Sequence, residues 1–282
     1  MADAIREIIE RHARPLEPRP TGVSPDVSPQ AGVRAVLFDV YGTLLISGSG
    51  DIGVASAAAK PEAVNESLRA VGLPAADDPA AVVTLLEDAI RQEHARLREQ
   101  GVDYPEVRIE EMWHRVRPDA DAERLAIEYE MRVNPVWPMP GMTDTLDTLR
   151  DRGVRLGIVS NAQAFTRELF PPLCGRSVNE LGFEEDLCVW SYAHRRAKPG
   201  TFLYERAAAR LAEQGIPPGE VLYVGNDMRN DVWPASRVGF RTVLFAGDAR
   251  SLRWRTDDAD VAGVRPDAVI TELSQIIGLL AS

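Results

Sequence analysis

The sequence predicts an α/β protein with a doubly wound parallel sheet, and two observations support this prediction. Short, continuous apolar runs recur along the chain, as expected for strands that helices cover on both faces. Helical stretches separate these runs, and strands that alternate with helices form parallel sheets. The predicted strands are residues 33–40, 154–161, 221–227, 241–246 and, more weakly, 268–271. The predicted helices between them are residues 142–151, 201–214 and 230–238.

The composition is typical of a folded globular protein and excludes several classes of function. The chain has 282 residues, of which 45% are hydrophobic and 27% charged, so wholesale disorder is excluded. This length suits one large domain or two modest ones. The net charge of −11 argues against a surface that grips nucleic acid or an anionic membrane, and we expect neither as a partner.

The chain has the sequence features of a cytoplasmic protein. It contains no run of 18 apolar residues that would span a membrane, and its charged N-terminus is unlike a secretory signal. Two cysteines, Cys174 and Cys188, are too few for a disulfide framework. They indicate a reducing compartment, and we expect both thiols in the core.

The first 32 residues are predicted to form a helix followed by a proline-rich strap. Residues 3–13 are amphipathic, and four side chains share one helical face, namely Ile5, Ile8, Ile9 and His12. Five prolines follow between positions 15 and 29, which indicates an extended linker or a strap over the core. The helix packs either on the body of the protein or on a partner chain, and a homodimer would supply such a partner.

Residues 50–137 are predicted to be a helical insertion between the first and second core strands. The segment is rich in Ala, Glu, Arg and Leu and contains no strong strand run. Prolines at positions 135, 138 and 140 mark the return of the chain to the core. The core is then formed by residues 33–49 and 138–282.

Polar side chains stand where the predicted strands end. In an open parallel sheet, ligands bind outside the carboxyl ends of the strands. Carboxylates and a lysine from separate segments indicate that Mg²⁺ and an anionic group are held together, so we expect a small anionic substrate. The side chains in question are Asp39, Tyr41, Thr43, Ser160, Asn161, Lys198, Asn226, Asp227 and Asp231.

Four motifs in this set resemble those of the haloacid dehalogenase superfamily, in the same order. They are Asp39-Val40-Tyr41-Gly42-Thr43-Leu44, Ser160 at a strand end, Lys198-Pro199, and Gly225-Asn226-Asp227-Met228-Arg229-Asn230-Asp231. The resemblance covers residues 33–47 and 138–275 and implies a Rossmann-like core. The helical segment 50–137 matches the family's cap in position and character.

The resemblance implies a hydrolase that works through a covalent intermediate on Asp39. Ser160 and Lys198 would hold the transferring group, and Thr43 would assist near the nucleophile. The implied metal is Mg²⁺, which lets an anionic nucleophile approach an anionic phosphate. Its ligands would come from Asp39, the main-chain carbonyl of Tyr41, Asn226, Asp227 and Asp231.

Tyr41 departs from the pattern of the family's phosphatases, which usually carry an aspartate here as the general acid. A phenol is a poor substitute for a carboxyl group, because its ordinary pKa is about 10. The superfamily's dehalogenases do carry tyrosine at this position, and halide needs no proton to leave. Tyr204 also matches a tyrosine that those dehalogenases use, which would make it substrate-binding, although a core position explains it equally well.

The acidic stretch favours the phosphatases instead. Its spacing resembles their metal-binding form, whereas the dehalogenases need no metal and replace the early acids with Ser and Asn. Asn226 stands where the first acid is usual and would supply a neutral oxygen ligand. Asn161 either orients the substrate or caps the following helix.

The sequence therefore predicts a Mg²⁺-dependent phosphatase that acts on a small phosphorylated metabolite through an aspartyl intermediate. One alternative is a hydrolase of carbon–halogen bonds, like the 2-haloacid dehalogenases. A further alternative is a protein that binds a ligand on this fold with little or no turnover.

Overall fold

A computed structural model of the protein describes residues 2–49 and 61–280. Residues 50–60, where the predicted insertion begins, lie outside the described residues. Six parallel strands form the central sheet in the order β5-β4-β1-β6-β7-β8, which confirms the predicted fold class, and β2 and β3 form a separate antiparallel pair. The strands are β1 (Ala35–Phe38), β2 (Leu45–Ser47), β3 (Val136–Pro138), β4 (Arg155–Ser160), β5 (Phe183–Trp190), β6 (Val221–Gly225), β7 (Arg241–Phe245) and β8 (Ala268–Ile270).

The order of the strands places β1 at the point where the direction of winding changes. β1 pairs with β4 on one side and with β6 on the other, and Phe38 lies opposite both Ile158 and Val224. The carboxyl ends of these three strands are therefore neighbours. In doubly wound sheets this switch point is where ligands bind.

Helices cover both faces of the sheet, which explains why its central strands are apolar throughout. On one face, Leu37 of β1 packs in a cluster with Leu203. On the other face, Phe38 packs in a cluster with Leu146. The helices are α1 (Ala2–His12), α2 (Pro61–Ala70), α3 (Pro79–Glu99), α4 (Ile109–Val116), α5 (Ala122–Val133), α6 (Met142–Asp151), α7 (Phe170–Cys174), α8 (Ser191–His194), α9 (Phe202–Glu213), α10 (Trp233–Val238) and α11 (Gln275–Leu279).

Helices α2 to α5 form a cap between β2 and β3. Two of them begin at an aspartate whose side chain accepts a hydrogen bond from the first turn, Asp78 for α3 and Asp121 for α5. Such caps satisfy N–H groups that have no partner within the helix. The antiparallel pair of β2 and β3, with Leu45 opposite Pro138, holds together the two chain segments that connect the cap to the core.

The N-terminal helix and the strap lie on the body of the same chain. Helix α1 packs against α5 of the cap and α7 of the core, and its Ile8 is 1% exposed. Arg6 pairs with Glu168 of the core at 2.8 Å, so α1 contacts both cap and core. The strap follows the edge of the sheet, where Asp26 forms an antiparallel bridge with Val269 of β8. It thereby covers an edge strand that would otherwise present unpaired backbone groups.

Strand β5 belongs to the core but has no counterpart among the predicted strands. Its middle residues are charged, and Glu185 and Asp186 are exposed. β5 lies at the edge of the sheet, so part of it faces solvent and no continuous apolar run marks it. The predicted helix over 230–238 also differs, because it begins as a π-helical turn over Met228–Val232 before α10 starts.

The cysteines form no disulfide, and both are partly buried. Burial raises the pKa of Cys174 to about 11 and that of Cys188 to about 12, so both thiols stay protonated at neutral pH. Across residues 2–49 and 61–280, no helix is both long and apolar enough to cross a membrane.

Candidate active site

Asp39 follows β1 and is the centre of a buried polar cluster. Its main-chain N–H donates to the carbonyl of Val224 at 2.9 Å, which fixes the residue beside β6. Ser160 Oγ and Lys198 Nζ both donate to Oδ1 of Asp39, at 2.8 and 2.7 Å. None of the described residues donates to Oδ2 of Asp39. One carboxylate oxygen is therefore held in place, while the other is left to react.

Lys198 joins Asp39 to the acidic stretch. Its Nζ also donates to Oδ1 of Asp231 at 2.6 Å and to the hydroxyl of Tyr223 at 3.3 Å. Burial alone would lower the pKa of Lys198, but the charges of Asp231 and Asp39 outweigh burial and raise it. The side chain is therefore an ammonium ion, and it would attract the charge of a bound anion.

Asn161 holds the backbone of Lys198 rather than a substrate. Its Oδ1 accepts from the main-chain N–H of Lys198 at 2.8 Å, and its Nδ2 donates to the carbonyl of the same residue at 3.4 Å. Both ends of the amide are thus used to set the position of the lysine. This positioning role was not among the predicted alternatives of substrate contact and helix cap.

Tyr204 lies beneath the cluster and is fully buried. Its hydroxyl donates to the carbonyl of Asn230 at 2.6 Å, and its ring packs edge-on against Tyr223 with centroids 4.9 Å apart. The hydroxyl is therefore used within the protein, and the predicted substrate-binding role of Tyr204 is not formed. Tyr204 occupies a core position, which was the alternative interpretation of this residue.

The two aspartates of the acidic stretch have different environments. Asp231 points under β1 toward Lys198, and the close approach requires Gly225, because a Cβ there would lie 2.6 Å from Asp231 Oδ2. Asp227 instead forms an ion pair with Arg255 at 2.6 Å. Its carboxylate also accepts from the main-chain N–H of Arg229 at 2.8 Å and so begins the π-helical turn.

The carboxylates predicted as metal ligands are engaged in ion pairs in this structure. Among residues 2–49 and 61–280, no three His, Cys, Asp or Glu side chains are arranged to hold a metal ion. Asp227 pairs with Arg255 at 2.6 Å, and Asp231 shares the ammonium group of Lys198 with Asp39. No sequence signal pointed to Arg255, which lies 28 positions after Asp227.

Asn226 and Thr43 bring the first and fourth motifs together. Thr43 Oγ1 donates to Oδ1 of Asn226 at 3.1 Å, and Asn226 Nδ2 donates to the carbonyl of Ser251 at 2.6 Å. Gly42 permits this contact, because it has a φ of +81° and a Cβ there would lie 2.9 Å from Asn226 Nδ2. The side-chain oxygen of Asn226 is therefore fixed beside the loop that carries Asp39.

Tyr41 is buried and does not replace the missing acid. Its hydroxyl is 2.9 Å from Thr166 Oγ1. Burial, followed by the negative charges of Glu130 and Asp39, raises the pKa of Tyr41 far above its ordinary value. The phenol thus remains neutral and holds its proton too tightly to serve as a general acid near pH 7.

Hydrogen bonds that were not predictable from the sequence join the cap to the core beside this cluster. The N–H of Ile109 in the cap donates to Gln163 Oε1 at 2.9 Å, and Ser191 Oγ donates to Glu106 Oε2 at 2.9 Å. Burial raises the pKa of Glu106 to about 7. These contacts join positions 54 and 85 residues apart, and periodicity in the sequence gives no signal for such pairs.

Comparison with known proteins identifies the family of the chain. The sequence model of the haloacid dehalogenase-like hydrolase family matches residues 33–239. The chain belongs to this family. It is a hydrolase by that membership.

Similar proteins include both phosphatases and dehalogenases. A glyceraldehyde 3-phosphate phosphatase from Methanopyrus kandleri is 26% identical over 235 residues, which are 80% of this chain and 90% of that protein. A solved 2-haloacid dehalogenase from Pseudomonas syringae pv. Tomato is 19% identical with a TM-score of 0.56, over 88% of this chain and 97% of that chain. A variant of CbbY from Rhodobacter sphaeroides, solved with xylulose-(1,5)bisphosphate, is 21% identical with a TM-score of 0.53, over 88% and 100%. At these identities the two solved structures show a shared fold alone.

Proposed function

We propose that the protein hydrolyses phosphate monoesters of a small metabolite through an aspartyl-phosphate on Asp39. The observation that carries this proposal is the pair of donors, Ser160 and Lys198, on one oxygen of Asp39, with the other oxygen unpartnered among the described residues. The relative from Methanopyrus kandleri, which is named as a phosphatase of a three-carbon phosphate ester, supports the same reaction class.

The reaction forms and breaks one bond to phosphorus in each of two steps. Oδ2 of Asp39 attacks phosphorus, the phosphorus–oxygen bond of the ester breaks, and the electron pair leaves with the alkoxide, which takes up a proton. Water then attacks the same phosphorus and releases inorganic phosphate, which regenerates the carboxylate. Lys198 and Ser160, which flank the nucleophile, would donate to the phosphoryl oxygens during both steps.

Mg²⁺ would be held at the loop that carries Asp39. The main-chain carbonyl of Tyr41 accepts no hydrogen bond from the described residues, and Asn226 Oδ1 accepts one. Mg²⁺ is commonly held by one or two carboxylates together with substrate phosphate and water, so these two oxygens and the carboxylate of Asp39 would suffice. When bound, the ion would reduce the repulsion between the carboxylate and the phosphate.

Phosphate release from an aryl phosphate, with Mg²⁺ and with a chelator, tests the proposal. An aryl leaving group needs no general acid, so the assay does not depend on the role of Tyr41. We expect metal-dependent release that falls by at least about a thousandfold in Asp39→Asn, because the nucleophile is lost. Release that persists in Asp39→Asn with a retained thermal transition would contradict the proposal.

Hydrolysis of carbon–halogen bonds is a second candidate, and the tyrosine at position 41 favours it. Halide leaves without a proton, so a site with no acid two residues after the nucleophile suits that chemistry. Halide release from 2-chloropropionate in the presence of a chelator, without phosphate release from any ester, would favour this candidate over the first.

A further inference from the structure

The ammonium group of Lys198 has three N–H donors, and each of them has an acceptor in the buried cluster. Two acceptors are carboxylate oxygens, Oδ1 of Asp231 at 2.6 Å and Oδ1 of Asp39 at 2.7 Å. The third is the hydroxyl of Tyr223 at 3.3 Å, a residue that lies outside the four motifs. A neutral acceptor at this place sets the direction of an N–H group and adds no charge to the cluster.

We propose that Tyr223 is a positioning residue for phosphoryl transfer, which fixes Nζ of Lys198 relative to Oγ of Ser160. The inference rests on the proposed phosphatase function and deepens it, because it names the residue that sets the spacing of the two donors. Tyr223 is fully buried, so it acts through Lys198 and not on the substrate itself.

The ring of Tyr223 is held firmly enough to serve as an anchor. It packs edge-on against Tyr204, with centroids 4.9 Å apart, and belongs to the same core cluster as Leu37 and Leu203. A tyrosine side chain has few torsion angles, so a packed ring leaves its hydroxyl little freedom. Burial also raises the pKa of Tyr223, so the hydroxyl keeps its proton at neutral pH.

The hydroxyl of Tyr223 connects the two strands that flank the nucleophile. β1 lies between β4 and β6, and the hydroxyl on β6 donates to the main-chain carbonyl of Val159 on β4 at 2.8 Å. Val159 directly precedes Ser160, whose Oγ donates to Asp39. The oxygen that accepts from Lys198 is therefore tied to the strand that carries Ser160. Through this bond, the two donors to Asp39 share one rigid frame.

The single proton of the hydroxyl belongs to the carbonyl of Val159. Oδ1 of Asp231 also lies within reach of the hydroxyl, at 3.1 Å, but it is farther away and already accepts from Lys198 at 2.6 Å. With its proton directed to β4, the hydroxyl oxygen keeps its lone pairs for the ammonium group. Tyr223 thus accepts from Lys198 and does not displace it from Asp231.

Loss of this hydroxyl would leave one N–H of Lys198 without its acceptor. Of the three acceptors, the two carboxylates would remain, and the ammonium group would be free to tilt between them. Phosphoryl transfer depends on donors that are already in place when charge moves in the transition state. A misplaced donor therefore lowers the rate of the chemical step more than the affinity for substrate.

Tyr223→Phe tests the anchor, because it removes the hydroxyl and keeps the ring. We expect kcat for 4-nitrophenyl phosphate to fall about tenfold, while KM changes by less than about threefold. The inhibition constant of orthovanadate, which imitates the phosphoryl group during transfer, should also rise about tenfold. Partial unfolding would lower the apparent kcat by reducing the amount of active enzyme, but it would not change an inhibition constant.

Tyr129→Phe is the matched control. It removes a hydroxyl from another buried tyrosine, which lies in the cap and packs edge-on against Trp113 with centroids 5.3 Å apart. We expect its kcat and its orthovanadate inhibition constant to stay within about twofold of the wild-type values. Both variants lose one hydroxyl from a buried ring, so the difference between them reports the contact with Lys198.

Three results would overturn the positioning role and leave the proposed function standing, since the wild type would still release phosphate. They are an unchanged kcat in Tyr223→Phe, a lowered kcat with an unchanged orthovanadate inhibition constant, and an equal loss in Tyr129→Phe. Absence of phosphate release by the wild type would overturn the proposed function, and the inference with it.

Discussion

The loop after β6 and cap helix α5 each carry a pair of neighbouring carboxylates whose partners differ. In the loop, Asp227 faces Arg255, whereas Asp231 is buried against Lys198. In the helix, Glu128 is fully buried yet is bonded by several cations, whereas none of the cations that the structure describes pairs with Glu130. The cations on Glu128 are Arg11, His12 and Arg132.

The difference shows that the neighbours of a carboxylate, and not its place in a motif, decide what it does. Burial would raise the pKa of Glu128, but the hydrogen bonds from Arg132 and His12 outweigh it and lower the pKa. Two residues later, burial without a cation raises the pKa of Glu130. Neighbouring carboxyl groups of one helix therefore differ in their pKa values because their partners differ.

Replacing Lys198 by Met should have the largest effect, because it leaves both core carboxylates without a cation. We expect phosphate release to be lost and the free energy of unfolding to fall by about 3–5 kcal/mol, as when one partner of a buried ion pair is removed. Denaturant titration and the aryl phosphate assay check this. The double variant Lys198→Met with Asp231→Asn should recover part of the stability but none of the activity. If the single and double variants were equally stable, the loss of stability in Lys198→Met would not come from an unpaired charge on Asp231.

Glu128→Gln should affect stability and leave the chemistry intact. We expect a loss of about 1–3 kcal/mol, because bonds from charged donors to a buried carboxylate are lost. The folded pKa of Glu128 is lowered, so its contribution is present above the ordinary pKa of a glutamate and disappears as the pH falls. Thermal melts of both proteins should therefore converge in acid. A drop in kcat for the aryl phosphate at unchanged stability would contradict the structural role.

Asp227→Asn should have the smallest effect, and it separates the two aspartates of the acidic stretch. The carboxylate is used by Arg255, so we expect phosphate release and the Mg²⁺ concentration for half-maximal activity to change by less than about threefold. Asn226→Ala should raise that concentration by about ten- to a hundredfold, because an oxygen beside the ion is lost. If Asp227→Asn strongly raised the Mg²⁺ concentration for half-maximal activity, Asp227 would be a ligand of the metal ion.

Much of the fold was predictable because the signals for it are local. A strand covered on both faces must be continuously apolar, so β1, β4, β6 and β7 are evident as runs in the sequence. β5 was not evident, because an edge strand tolerates Glu185 and Asp186 on its exposed side.

The sequence by itself determined which residues stand at the carboxyl ends of the strands. Asp39, Ser160 and Lys198 were identified in this way, because chain connectivity alone places them at one edge of a parallel sheet. Only the tertiary structure decided the charge state and the partner of each neighbouring group. Arg255 neutralises Asp227 and α1 contributes cations to Glu128, while no cation of residues 2–49 and 61–280 pairs with Glu130. These pairings depend on burial and on contacts between distant segments, and short-range pattern in a sequence does not encode either one.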